Sequence, residues 1–410
     1  MAVLSTRFDG GRGELFLLAL RVGFLTLVTA GIYRFWAKTR LRRWFWSAVK
    51  PGGTPMEYTG TALEKLTGFL LAIILLAFVL TAINLGGIAI SINLMDDAHW
   101  SFFAAAGALP AAILPLFYFA RYRARRYILS RSRWRGIRFG MSSGAVGYAW
   151  RATLYLLLTI ATLGLLWPLM TFRLEKYLTD RTWYGTARFS QHGSMWRLYG
   201  PAFPFLLMIW GMLAFSVYAS MNVYTDFSGL IPILRGEVWA IFAAIACGLL
   251  ALLFSVYYRV ASIRVLAALK TLGDGVEFDL WPKTLRVFRI YFFGALKTYF
   301  ATIFVYNVVF GFVFAVLWLA GGLDATQIQA MMANPPMNVV VVLGVLTYLM
   351  IVLLANVFRQ TFITHPLVVH VAETLEIHQP ELLGTVRQRS ADSRTDAGGF
   401  AEALDAGAAF

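Results

Sequence analysis

Apolar residues gather in long blocks along this chain instead of alternating with polar ones. The blocks fall at about 15–35, 68–94, 100–119, 152–172, 201–223, 238–258, 299–319 and 337–358. Several approach the ~20 residues that a spanning helix needs. None shows the ~10-residue alternation of a membrane β-barrel. The pattern predicts an all-α polytopic membrane protein. The stretch from Leu25 to Trp46 shows how a block ends. An apolar run closes on Ala30, Gly31, Ile32 and Tyr33, and a basic, aromatic helix follows without a linker, carrying Trp36, Lys38, Arg40, Arg42, Arg43, Trp44, Phe45 and Trp46. Aromatic rings favour headgroup level, and Lys and Arg collect on the cytoplasmic side. The stretch reads as a place where the chain leaves a membrane.

The connections differ in charge. Segment 34–50 holds six basic residues and no acidic one, and 121–138 holds eight arginines and no acid. Segments 173–197 and 259–297 are also net basic, whereas 93–99 carries Asp96 and Asp97, and 320–336 carries only Asp324. Eight full spans would put the first two basic connections opposite the other two, against the positive-inside rule. The conflict disappears if runs 15–35 and 152–172 enter and leave on one side, as re-entrant or interfacial helices. Six spans then form three hairpins, 68–94 with 100–119, 201–223 with 238–258, and 299–319 with 337–358. Every basic connection and both termini become cytoplasmic. The alternative is that both runs span and the loop charges follow no rule.

An internal repeat supports the hairpin scheme. A shift of 133 residues lays Gly31-Ile32 on Gly164-Leu165, and a shift of 83 lays Trp36 to Trp44 on Phe119 to Tyr127. The expected organisation is a first membrane repeat over 1–140, a second over 141–285, a third, degenerate hairpin over 286–375, and a cytoplasmic tail over 376–410, disordered at its end. Short Gly/aromatic patches at 56–61, 134–140, 184–189 and 275–280, with Thr6 to Phe8, alternate β-formers with polar residues. They predict short cytoplasmic strands. No basic segment, short apolar core and cleavage site open the chain in the manner of a signal peptide, so the first apolar run is expected to be kept.

Composition narrows the class further. Hydrophobic residues make up 59% of 410, and charged ones 14%, against roughly 25% in soluble domains. The net charge is +15. Because the arginines flank apolar helices, that excess is read as meant for anionic phospholipid and not for nucleic acid. One cysteine, Cys247, excludes an internal disulfide.

The motif set resembles the YjgN family, bacterial inner-membrane proteins with a domain of unknown function (DUF898). The matching residues are Phe8-Asp9-Gly10, Ala30 to Lys38, Glu57 to Thr61 with Glu64, and Gly68-Phe69-Leu70. In the second half they are Arg126-Tyr127, Trp134 to Gly140, Thr162 to Leu165, and Tyr184-Gly185-Thr186. The resemblance covers about residues 7–375, with Ala30 standing where the family pattern has Leu. It implies a bacterial inner-membrane location and no particular reaction.

Signs of chemistry are sparse. His365 and His370 lie near Glu373, but without the spacing of a zinc helix. No phosphate loop or nucleophile elbow is present. Carboxylates are nearly absent from the apolar runs, where a proton-coupled pump would need them. No catalytic residue, metal site or cofactor is expected. Arg21 is the one ionisable residue that stands out inside a run, and it is expected to snorkel or to lie at an interface. The candidates for lipid phosphate are Arg40, Arg42, Arg43, Arg121, Arg123, Arg125 and Arg126, with Trp36, Trp44 and Tyr127 supporting the headgroup. Candidates to line a pathway are Asn84, Asn222, Asn307 and Asn356. Two functions follow as expectations, the first ranked above the second and an enzyme below both. One is transport or channel-like handling of a lipidic or anionic solute. The other is a non-enzymatic scaffold that binds anionic lipid or a protein partner through a basic, strand-bearing cytoplasmic face.

Overall fold

The computed structural model describes residues 3–94, 98–226, 233–319 and 337–389. Asp96, Asp97, Asp324 and the tail from 390 lie outside the described residues, as does the side chain of Asn84.

The all-α expectation is overturned. Ten strands belong to one hydrogen-bonded sheet, and two more form a separate ribbon. The sheet strands are β1 (Val3–Phe8), β2 (Val49–Pro51), β3 (Met56–Tyr58), β4 (Ser132–Trp134), β5 (Ile137–Met141), β6 (Thr182–Tyr184), β7 (Ala187–Gln191), β10 (Lys270–Leu272), β11 (Val276–Leu280) and β12 (Leu375–His378). The ribbon is β8 (Val223–Asp226) with β9 (Ile233–Gly236). Most sheet strands are only three to five residues long, which is why no extended alternation marks them. Three pairings are local hairpins, β4 with β5, β6 with β7 and β10 with β11, but the pairings that join these hairpins into one sheet link strands far apart in the chain.

The helices are α1 (Arg12–Val28), α2 (Arg34–Ala48), α3 (Ala62–Leu94), α4 (Ala98–Ser130), α5 (Ala145–Ala161), α6 (Trp167–Thr179), α7 (Tyr199–Asn222), α8 (Trp239–Ala268), α9 (Thr284–Leu319), α10 (Met337–Arg359) and α11 (His365–Glu373). A π-helical turn, Gln360–Thr364, joins the last two. The number of spans also needs correction. Among the described residues four helices are long and apolar enough to cross a membrane: Met195–Asn222, Trp239–Ala268, Thr284–Val316 and Val341–Glu373. The first expected hairpin is not among them. Its helices α3 and α4 each run for 33 residues, and many of their apolar side chains lie outside the description.

Strand pairing fixes how the hairpins leave and return. β7 pairs with β10, Gln191 opposite Lys270, and α7 and α8 lie between them in the chain. β11 pairs with β12, Phe278 opposite Ile377, and α9, α10 and α11 lie between those two. Each hairpin is thus bracketed by two neighbouring strands of the sheet. The two shorter insertions obey the same rule. α1 and α2 separate Phe8 from its partner Val49, and α5 and α6 separate Met141 from Thr182.

These shorter insertions share one tip. Thr29 Oγ1 donates to Leu25 O at 2.8 Å and accepts from Tyr33 N at 2.9 Å. Thr162 Oγ1 donates to Leu158 O at 2.8 Å and accepts from Leu166 N at 3.4 Å. Gly31 N reaches Thr26 O at 2.7 Å, and Gly164 N reaches Thr159 O at 2.7 Å. Gly31 and Gly164 both sit at φ +90, where a Cβ is strained. Runs 15–35 and 152–172 are therefore each two helices broken at a glycine. Gly31→Ala is expected to cost about 1–2 kcal/mol. Nothing lies within 4 Å of the added carbon, so the cost is backbone alone. Thermal unfolding in detergent checks this, and an unchanged midpoint would contradict the turn.

The described chain divides into two compact units. Among the described residues the first holds 3–5, 63–94, 98–226, 233–284 and 374–389. Its main core joins Tyr118 and Tyr122 of α4, Met141 of β5, Tyr148 and Ala152 of α5, and Leu174 and Leu178 of α6. The Tyr122 hydroxyl donates to Ser142 O at 2.6 Å, and that of Tyr177 to Gly144 O at 3.0 Å. Buried Tyr122 and half-buried Tyr177 thus keep their polar ends satisfied. The second unit holds 6–62, 285–319 and 337–373 of the described residues. There α1 buries Leu15, Ala19 and Val22, spaced three or four apart as one helix face requires. Phe16 meets Phe358 of α10, with ring centres 6.0 Å apart.

Candidate functional site

The basic stretch on α2 lies in the second unit. Arg40 is exposed, with its guanidinium 5.6 Å from the Tyr33 ring centre. Trp36 stacks on that same ring at 6.0 Å. Arg42 is half-buried between Trp46 and Tyr58, at 5.6 and 5.4 Å. Arg43 is exposed and donates to Gly60 O at 2.9 Å. Trp44 packs against Phe8 at 6.0 Å and His365 at 6.1 Å. The fold therefore uses Arg42, Arg43 and Trp44 to hold α2 against its neighbours, and Arg40 is the more open cation.

The stretch on α4 lies in the first unit and divides the same way. Arg121 is exposed. Arg123 lies 5.8 Å from the Phe119 ring centre. Arg125 Nη2 reaches Glu175 Oε1 at 3.5 Å, and Lys270 Nζ reaches the same oxygen at 2.6 Å. Arg126 Nε donates to Met141 O at 3.0 Å. The Tyr127 hydroxyl donates to Glu64 Oε2 at 2.8 Å, and Arg131 Nη2 to Glu64 Oε1 at 3.0 Å. Burial alone would raise the Glu175 carboxyl, but Lys270 and then Arg125 hold it far below the ordinary carboxylate range. The sequence presents these arginines as one set, and chain position does not reveal which have partners 50 residues away.

The three described candidate asparagines keep to their own helices. Asn222 Nδ2 donates to Tyr218 O at 2.9 Å, Asn307 to Ile303 O at 2.8 Å, and Asn356 to Val352 O at 2.8 Å. Each bonds back into its own helix on an exposed face. His365 is buried, with Nε2 3.0 Å from Gly10 O and its ring edge-on to Phe8 at 5.3 Å. Glu373 is exposed on the turn that ends α11. Among the described residues no three His, Cys, Asp or Glu side chains gather in a way that could hold a metal.

One further feature is a groove of about 760 Å³ along α1. Leu17, Leu18, Leu20, Phe24 and Leu353 give it an apolar lining, and Glu14 and Arg21 open onto it. Arg21 stood out in the sequence. Glu14 did not, because only the helix places the two on one face.

No curated protein and no solved structure matches this chain. A family model does match, and it spans β1 to β11 with both glycine-tipped insertions. That model is described as a bacterial protein of unknown function (DUF898) and matches residues 3–303. With four helices long and apolar enough to cross a bilayer, this membrane protein belongs to the DUF898 family.

Proposed function

We propose that this protein is a non-enzymatic scaffold of the bacterial inner membrane that holds anionic phospholipid at the cytoplasmic boundary. Its sheet and termini face the cytoplasm in this reading, and the sheet is the surface offered to a protein partner. The observation that carries the reading is the exposure of Arg40 and Arg121 on stretches whose other arginines serve the fold. Each lies just beyond an apolar run, among aromatic rings suited to headgroup level. A basic residue beside an anionic leaflet contributes about 1 kcal/mol. Transport of a lipidic anion is the second reading. The three described asparagines favour it less, because their amides are occupied by their own helices.

The test is retention of phosphatidylglycerol by the purified full chain in native mass spectrometry. Arg40→Gln combined with Arg121→Gln is expected to lower retention about 30-fold, from ~1 kcal/mol at each position. Raising salt should narrow the difference. Equal retention by the variant and the unaltered protein would remove the proposal.

A further inference from the structure

The geometry points to the α1 groove as a seat for one aminophospholipid, with phosphate on Arg21, ammonium on Glu14 and an acyl chain along Leu17, Leu20 and Phe24. The inference takes from the proposed function only that the ligand is a phospholipid. It does not depend on Arg40 or Arg121.

The two charges carry it first. Arg21 and Glu14 lie seven residues apart, which on a helix is about 10 Å along one face. Both are exposed and both open onto the groove. Their long side chains can converge on a headgroup that carries a phosphate and an amine together. A purely anionic headgroup would place negative charge near Glu14, so the pair favours a zwitterion. The groove volume of about 760 Å³ lies within the ~300–1,000 Å³ of small-ligand sites. Leu17 and Phe24 are 66% and 57% exposed, so the apolar wall beside the charges is open to a chain.

The second copy of the hairpin shows that the charges are not needed to fold it. α5 has the same length as α1, starts after a glycine as α1 does, and ends in the same glycine tip. Buried Leu15 and Ala19 have buried counterparts in Tyr148 and Ala152. At the positions of Glu14 and Arg21, however, α5 carries Gly147 and Leu154. A charge at membrane depth is costly unless something pairs with it. Among the described residues neither Glu14 nor Arg21 has an ion-pair or hydrogen-bond partner in the protein. A bound zwitterion satisfies both at once.

The experiment presents the purified full chain with palmitoyl-oleoyl phosphatidylethanolamine or with phosphatidylglycerol of the same chains, and resolves the adducts by native mass spectrometry. The unaltered protein should retain one phosphatidylethanolamine in preference to phosphatidylglycerol. Arg21→Leu, which installs the residue of the second copy, should lower that adduct about tenfold, with unchanged lipid-free thermal unfolding. Arg21→Lys should keep it. Glu14→Gln should bring the two lipids to parity. Arg40→Gln with Arg121→Gln should leave the phosphatidylethanolamine adduct intact, so the failure of one proposal is separable from failure of the other. The assignment is overturned if Arg21→Leu retains phosphatidylethanolamine at the original level, or if the unaltered protein shows no headgroup preference. It is overturned equally if the boundary variant loses the adduct, or if Arg21→Leu instead splits a dimer and so makes a second copy the occupant.

Discussion

Glu175→Gln is expected to destabilise the protein by about 2–4 kcal/mol, because it strands two cations that the carboxylate joins. Glu175 stands on α6, Arg125 on α4, and Lys270 opens β10, so one side chain ties two helices to the sheet. The side chains of Glu175 and Lys270 are 22% and 23% exposed, which leaves water little room to replace the lost partner. Lys270→Met made in the Gln variant should cost less than in the unaltered protein, since the pair is already broken. The pH dependence follows from the sign of the shift. The folded carboxyl is depressed by Lys270 and Arg125 against its burial. Its stabilisation is therefore complete above the unfolded carboxylate value of about 4.3 and is lost progressively as pH falls from there toward the depressed value. The gap between the unaltered protein and Glu175→Gln should stay constant from neutral pH to about 5 and close only in stronger acid. Chemical unfolding at a series of pH values reads this directly, and a gap that closes near neutrality would contradict it.

Gly140→Ala has the other large expected effect. Gly140 of β5 faces Trp183 of β6 across the sheet. The indole lies so close over the glycine that an added Cβ would fall among its ring carbons. Trp183 is 8% exposed, with Arg389 5.0 Å from its ring centre, so the ring cannot swing away freely. Overpacking of this kind costs about 1–3 kcal/mol and occasionally more. The informative comparison is with Trp183→Ala. Removing the indole should cost about 3–5 kcal/mol by itself, and in that background Gly140→Ala should become nearly neutral. Equal costs in both backgrounds would mean that the ring does not impose the glycine.

The parts of this fold that were legible in the sequence are those set by local chemistry. Thr29, Ala30 and Gly31 return as Thr162, Leu163 and Gly164 because one tip geometry needs a hydroxyl to bond the preceding turn and a glycine at positive φ. The patches at 134–140 and 184–189 announce β5, β6 and β7 because tyrosine, tryptophan and phenylalanine alternate there with polar residues. Val49-Lys50-Pro51 and Lys270-Thr271-Leu272 are invisible by the same criterion. Each is three residues long; the first is held by Phe8 across about forty residues of chain, and the second joins the sheet through Gln191, far off in the chain, as well as through its turn partner β11. The all-α expectation failed on that point. The arginines show the same limit from the side of function. Composition marks a basic stretch at 121–126, but Glu175 for Arg125 and Met141 O for Arg126 are supplied by other elements. Long-range pairing decides which cations are spent on the fold and which, such as Arg121, stay exposed.

The account depends on the spanning hairpin α7–α8 leaving one strand and returning to its neighbour. Thiol labelling of intact and opened membrane vesicles tests that directly, with Cys247→Ser as background and single cysteines at Thr186→Cys, Asp274→Cys or Tyr224→Cys. The first two positions are exposed in turns next to β7 and β10, and the third lies at the far end of α7. Thr186→Cys and Asp274→Cys should react together from the cytoplasmic face, and Tyr224→Cys only from the other. Reaction of the first two from opposite faces, or of all three from one, would contradict the fold on which every proposal here stands.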